Sequence, residues 1–154
     1  GESREAGMFF ASLAREIQTN SRPFSAPCVI LAAGETTTKI SDNEDIRGHG
    51  GPSHELVAAF ALAASKVPGA CMLSIDTEGT DGTTLYAGGL TDSKTAEAAR
   101  LAGIDLYEAL RGHAVGEALV ALNDAVFTGN TGTNLCDLNV LYVPAAASDR
   151  FKKS

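Results

Sequence analysis

The feature that most constrains this chain is an alternation. Short apolar runs rich in β-branched residues, bounded by glycine and polar residues, are separated by longer stretches with helical spacing. Residues 28–32 are the first such run, containing Val29 and Ile30, and Gly34 breaks it. Thr36, Thr37, Thr38 and Ile40 suggest a second strand, paired with the first as a hairpin. Residues 71–75, 87–90, 126–127 and 138–143 supply the others. Met8, Phe9, Leu13 and Ile17 recur at helical spacing over residues 4–19. Pro52-Ser53 opens an alanine-rich helix to about Lys66, with Ser53 as the expected cap and Glu55 at the positive end of the helix dipole. Val67-Pro68-Gly69 ends it. Residues 92–101, 106–111 and 114–122 read as further helices. Strands alternating with helices predict an α/β fold: one three-layer-type domain over residues 1–144, its mixed β-sheet flanked by helices, with 145–154 as a loose tail.

A chain of 154 residues suits one domain and can bury a core without disulfides or metals. The net charge of −7 speaks against a nucleic-acid surface, which needs a clustered basic face. The one basic cluster, Arg150, Lys152 and Lys153, is short and lies in the tail. No apolar run reaches eighteen residues, so no membrane span is expected, and the first ten residues do not read as a secretory signal. Cys28, Cys71 and Cys136 are far apart and form no CxxC pair. They read as buried, reduced thiols, which suits a cytoplasmic protein. The chain begins with Gly1 rather than Met, which points to processing or to a longer parent.

Three polar, glycine-rich loops are the natural places for chemistry. Glycine lets a backbone approach a ligand closely, and successive N–H groups can cradle an anion. The first, Arg47-Gly48-His49-Gly50-Gly51-Pro52-Ser53-His54-Glu55, opens a helix, and a helix N-terminus attracts anions. It fits an anion site or a flexible turn with exposed histidines, and it is neither a Walker A loop nor GxGxxG. The second carries Asp76, Glu78 and Asp81. Such carboxylates could hold Mg²⁺ together with phosphate oxygens, or could order a solvated turn. The third holds Thr128, Thr131, Thr133 and Asn134 and is followed by Asp137. These groups could donate to a ligand or satisfy one another. His113 reads as a surface residue.

Four motifs in order resemble those of the MOFRL family, the C-terminal domain of glycerate 2-kinase and hydroxypyruvate reductase-like proteins. Ala33-Gly34-Glu35-Thr36-Thr37 resembles the family's Gly-Gly-Glu-Thr-Thr. Gly48-His49-Gly50-Gly51-Pro52-Ser53-His54-Glu55 resembles Gly-x-Gly-Gly-Arg-Asn-Gln-Glu. Thr77-Glu78-Gly79-Thr80-Asp81-Gly82 resembles Thr-Asp-Gly-x-Asp-Gly. Thr131-Gly132-Thr133-Asn134-Leu135-Cys136-Asp137-Leu138 is very close to Thr-Gly-Thr-Asn-x-x-Asp-Leu. Two departures stand out: Pro52 replaces the family's usual Arg, and Leu85 replaces the Asp of a later Pro-Thr-Asp stretch.

The resemblance implies one part of a two-domain enzyme whose N-terminal partner is Rossmann-like. Its reaction would be the phosphorylation of D-glycerate, or a related small hydroxy acid, by ATP and Mg²⁺. On the matching positions, Glu55, Glu78 and Asp81 would be catalytic or orienting, with Glu78 and Asp81 on the metal. Gly34, Glu35, Thr36, Arg47, His49, Gly50, Gly51, Ser53, His54, Thr77, Gly79, Gly82, Thr131, Gly132, Thr133, Asn134 and Asp137 would bind substrate or phosphate. A homodimer is compatible with this reading. A non-catalytic domain that binds a small anion or a partner is the alternative. A hydroxypyruvate reductase ranks below both, because no dinucleotide fingerprint is present.

Overall fold

In the computed structural model, residues 1–41 and 45–146 are described. The tail expected over 145–154, with its basic cluster, lies outside them from residue 147 onward. The elements run α1 (Ser3–Asn20), β1 (Cys28–Gly34), α2 (Pro52–Ala63), β2 (Cys71–Asp76), β3 (Gly88–Asp92), α3 (Thr95–Leu101), α4 (Leu106–Arg111), α5 (Val115–Leu122), β4 (Ala125–Val126) and β5 (Asp137–Val143).

The five strands form one sheet in the order β1-β5-β2-β3-β4, and every pair in it is antiparallel. The α/β class stands, but the sheet differs from the mixed pairing that the sequence suggested. The reason lies at β1. Its seven residues pair with all seven of β5. The threonine-rich segment after Gly34 forms no strand; its Thr37 makes a single parallel bridge with Glu2. Thr37 instead holds the start of α1, where the Ser3 amide and hydroxyl donate to its carbonyl at 3.0 and 2.8 Å.

Helix α2 is the centre of the molecule. Its residues from Ser53 to Ala61 are all buried, so it has no solvated stripe. Alanines at 58, 59, 61 and 64 keep it slim, and α1 closes on it through Gly7, Ala11 and Ala14. Leu56, Val57 and Phe60 complete the core with Met72, Leu119, Leu141 and Val143. The helix is shorter than expected, ending at Ala63 with Ala64 as its cap. The strand–helix boundary near Asp92 also shifted. Asp92 closes β3, and its carboxylate accepts from the Lys94 amide at 2.7 Å, forming a turn that delays α3 to Thr95.

The helices cover one face of the sheet. Met72, Ser74, Thr91, Asn139 and Leu141 point into them and are buried. The other face is bare among the described residues, with Val29, Leu31 and Leu90 exposed. Among the described residues the helices therefore flank one side of the sheet, where the sequence suggested both. The three cysteines are free, as expected, but each is half-buried rather than fully buried.

Candidate functional site

The strand order brings the three loops together. Gly34 ends β1 opposite Asp137, the first residue of β5, and Asp137 stands opposite Asp76, the last of β2. Gly88 opens β3 between Ile75 and Val126. The loops β1–α2, β2–β3 and β4–β5 thus leave the same end of the sheet. In an antiparallel sheet this clustering comes from alternating strand direction, not from the carboxyl-end rule of parallel sheets.

Cross-loop hydrogen bonds fix the cluster. The Thr36 amide and hydroxyl donate to Asp137 at 3.2 and 3.3 Å. The Thr77 hydroxyl donates to the Cys136 carbonyl at 2.8 Å and accepts from the Leu135 amide at 2.7 Å. The Thr131 hydroxyl donates to the Thr77 carbonyl at 2.5 Å. Thr83 ties the second loop to the first, its amide donating to the Gly50 carbonyl at 3.0 Å. Two glycines permit these approaches. A Cβ at Gly79 (φ 102°) would overlap the Gly129 carbonyl oxygen, and one at Gly82 (φ 58°) the Gly50 carbonyl oxygen.

Within the cluster the acidic residues take different parts. Asp81 is buried at 1% exposure beneath the first turn of α2. Its oxygens accept from the Ser53 amide at 3.2 Å and the His54 amide at 2.9 Å, and one also touches the buried His54 ring nitrogen Nδ1. The Ser53 side chain was expected to cap α2. Instead Gly51 is the N-cap with Pro52 after it, and the cap comes from Asp81 on a different loop. The Ser53 hydroxyl accepts from Ser74 at 3.0 Å, tying α2 to β2.

Glu55, also 1% exposed, receives Nε of Arg4 at 2.9 Å and faces Nδ1 of His113 at 2.6 Å. His113 is thus buried, not the surface residue that the sequence suggested. It holds a left-handed backbone (φ 53°) after Gly112, which turns its ring inward. This Arg4–Glu55–His113 group escaped sequence reading because its members lie 51 and 58 residues apart along the chain. Glu55 and His113 line a cavity of about 210 Å³ with Gly50, Gly51 and Thr83.

Glu78 is the exposed acid of the second loop. It accepts from the Asn134 side chain at 2.9 Å and from the Thr80 hydroxyl at 3.3 Å. Glu78, Thr80, Asn130, Gly132, Thr133 and Asn134 line a polar hollow of about 420 Å³. The second and third loops therefore present one joint surface. Arg47 and His49 turn away from it: Arg47 pairs with Asp45 and Glu108, and His49 with Glu117. Glu35, just after β1, accepts from the Cys136 thiol at 3.6 Å.

The base of the cluster is crowded with negative charge. Burial pushes the Asp137 carboxyl above its ordinary range, and the charges of Asp81 and Asp76 push it further. Burial likewise raises Asp76, with Glu78, Asp81 and Glu35 adding repulsion. Asp76 and Asp137 sit on directly opposed positions of neighbouring strands, where like charges are unfavourable. Among the described residues, no group of three or more His, Cys, Asp and Glu is arranged to hold a metal ion.

Fold and loops together define an α/β domain whose polar groups gather in glycine- and threonine-rich loops at one end of an antiparallel sheet. The chain belongs to the MOFRL family, whose model matches residues 28–137 and so takes in all three loops. It is 38% identical over 143 residues to the glycerate 2-kinase of Pyrococcus horikoshii, covering 93% of this chain and 32% of that protein. It is 37% identical over 137 residues to the D-glycerate 2-kinase of Thermotoga maritima, covering 89% of this chain and 32% of that one. The crystal structure of glycerate kinase from Thermotoga maritima superposes with a TM-score of 0.85 at 35% identity, over 92% of this chain and 33% of that chain. The chain thus spans about a third of the length of these relatives.

Proposed function

We propose that this chain is the C-terminal domain of a glycerate 2-kinase-like phosphotransferase, and that its loops form one wall of an active site completed by an N-terminal Rossmann-like domain. The substrate would be D-glycerate or a related small hydroxy acid, with ATP as phosphoryl donor. The observation that carries this reading is the joining of the second and third loops through Glu78 and Asn134, in a chain identical at more than a third of the aligned positions to each of two glycerate 2-kinases. Phosphoryl transfer asks a protein mainly to position groups and neutralise charge. Neutral hydroxyl, amide and backbone donors can hold phosphate oxygens, and Thr133 and Asn134 are exposed for that purpose.

The residues fit Mg²⁺ arriving with a nucleotide. This ion takes one or two carboxylates, with phosphate oxygens and water as its other ligands. Glu78 and Asp76 would hold it, and the ion would neutralise phosphate charge where carboxylates now repel one another. Asp81 is committed to capping α2, so its part is to position the first loop. Glu55, engaged by Arg4 and His113, has the same kind of role.

One observation favours a second reading. Pro52 occupies the first turn of α2, where an arginine would give a phosphoryl group a bidentate partner, and Leu85 is 85% exposed where an Asp would stand. A non-catalytic domain that binds a small anion or partner would tolerate both. The experiment is a coupled assay on the longer polypeptide with D-glycerate and ATP–Mg²⁺, beside calorimetry with the same ligands. Glycerate-dependent ATP turnover supports the kinase reading, and the 154-residue chain alone should show none. Binding without turnover favours the second reading. NADH oxidation with hydroxypyruvate in place of both would overturn the phosphotransferase assignment.

A further inference from the structure

The start of α1 holds the β1–α2 connection near both of its ends. After β1, the Ser3 amide and hydroxyl donate to the Thr37 carbonyl, and the Thr37 amide donates to the Gly1 carbonyl at 3.0 Å. Past the glycines, Arg4 reaches Glu55 in the first turn of α2, its Nε lying 2.9 Å from Oε2. The same guanidinium places Nη2 3.3 and 3.4 Å from the two ring nitrogens of His113, whose Nδ1 meets the other Glu55 oxygen at 2.6 Å. The side chains of Arg4, Glu55 and His113 are 19%, 2% and 6% exposed. The first loop is also tied to the turn that bears His113. The Arg47 amide donates to the Gly112 carbonyl at 2.8 Å, and the Gly116 amide donates to the His49 carbonyl at 2.9 Å. Arg4 is thus the point where α1, the start of α2 and the turn between α4 and α5 meet.

Stability alone does not call for this group. A buried ion pair loses to desolvation much of what it gains by attraction, and an apolar cluster of the same volume often serves a fold as well or better. What a guanidinium adds is geometry, because its planar fork holds Glu55 and His113 at once. The place it springs from is fixed. Gly7, one turn along α1 on the same face, lies so close to α2 that a Cβ there would overlap the Leu56 carbonyl oxygen. On the other side of Glu55 the packing is equally tight: a Cβ at Gly51 would overlap the Gly82 nitrogen of the second loop. A shift in the first turn of α2 is therefore passed to the second loop. We infer that Arg4 is a positioning residue for the phosphoryl transfer proposed above, an inference that rests on that reading. Arg4 touches no reacting group. It holds Glu55 and His113, and through them it keeps the first loop in register with the second. It lies outside residues 28–137, the stretch that the family model matches. A misplacement of about 1 Å at an active site costs on the order of a hundredfold in rate, and losing one of several ties should cost about tenfold.

The test uses the longer polypeptide, with each variant assayed well below its own melting temperature so that a fall in turnover belongs to folded molecules. Arg4→Met should lower kcat for D-glycerate phosphorylation about tenfold, with the KM values for D-glycerate and ATP within about threefold of the parent. Arg4→Gln keeps a donor for Glu55 and serves where Arg4→Met does not fold; its kcat should fall about fivefold with the same split. Arg15→Met, at an exposed position of α1, should turn over as the parent does. Parental kcat in folded Arg4→Met, or in Arg4→Gln where Arg4→Met does not fold, overturns the inference even if the melting temperature has dropped, because Arg4 would then serve the fold alone. An equal loss in Arg15→Met overturns it as well. A parent without glycerate-dependent turnover instead overturns the reading beneath it, and with it any part for Arg4 in that reaction.

Discussion

Asp76 and Asp137 show how a carboxylate can be held where the fold works against its charge. Burial raises both carboxyls; the charges of Asp81 and Asp76 push Asp137 further, and those of Glu78, Asp81 and Glu35 push Asp76. In the folded chain they hold protons at pH values where the unfolded chain has already released them. Their contribution to stability is therefore fully present below the ordinary Asp value of 3.8 and is lost as pH rises through the raised values. Asp137→Asn keeps an oxygen that can accept from Thr36 and removes one charge from the pair. Its melting temperature relative to the parent should climb between about pH 4 and pH 7. Thermal melts across that range check this, and a difference that stays flat or falls would show that the pair is not strained.

At the scale of elements, α2 depends on a cap from outside its own sequence. Asp81 supplies acceptors to two amides of its first turn and a partner to the buried His54. Asp81→Ala removes all three and leaves His54 buried without its carboxylate. The expected loss is about 3 kcal/mol or more, read from urea unfolding. A loss under about 1 kcal/mol would mean that the first turn holds without that residue. Much of this element was legible in the sequence: the alanine-rich run, its proline start and its acidic first turn were all visible. The cap was not, because it joins residues 27 and 28 positions apart. The strand after Gly34 was misread for a related reason. Threonines suit a strand locally, but the place beside β1 goes to β5, more than a hundred residues away. His113 followed the same pattern, since its inward turn depends on a left-handed backbone and a distant Glu55.

At the scale of the molecule, the domain has its own core around α2, a loop-bearing end and, among the described residues, a bare apolar face. Each loop motif was visible as a string of residues, but their convergence needed the antiparallel order β1-β5-β2-β3-β4. The order also sorts those residues. Ser53, His54, Glu55 and Asp81 are buried and hold the first loop in place, while Glu78, Thr131, Thr133 and Asn134 are exposed. Chemistry should therefore be most sensitive to the exposed group, and stability to the buried one. The most direct test is the rate of ATP-dependent D-glycerate phosphorylation by the longer polypeptide carrying Asn134→Ala, with its melting temperature measured alongside. A turnover number about a hundredfold lower is the predicted result, with a melting temperature lowered by only about 2–4 °C for the lost bonds to Glu78 and the Cys136 amide. Parental turnover in that variant would contradict the assignment of the joined second and third loops as the wall of the active site.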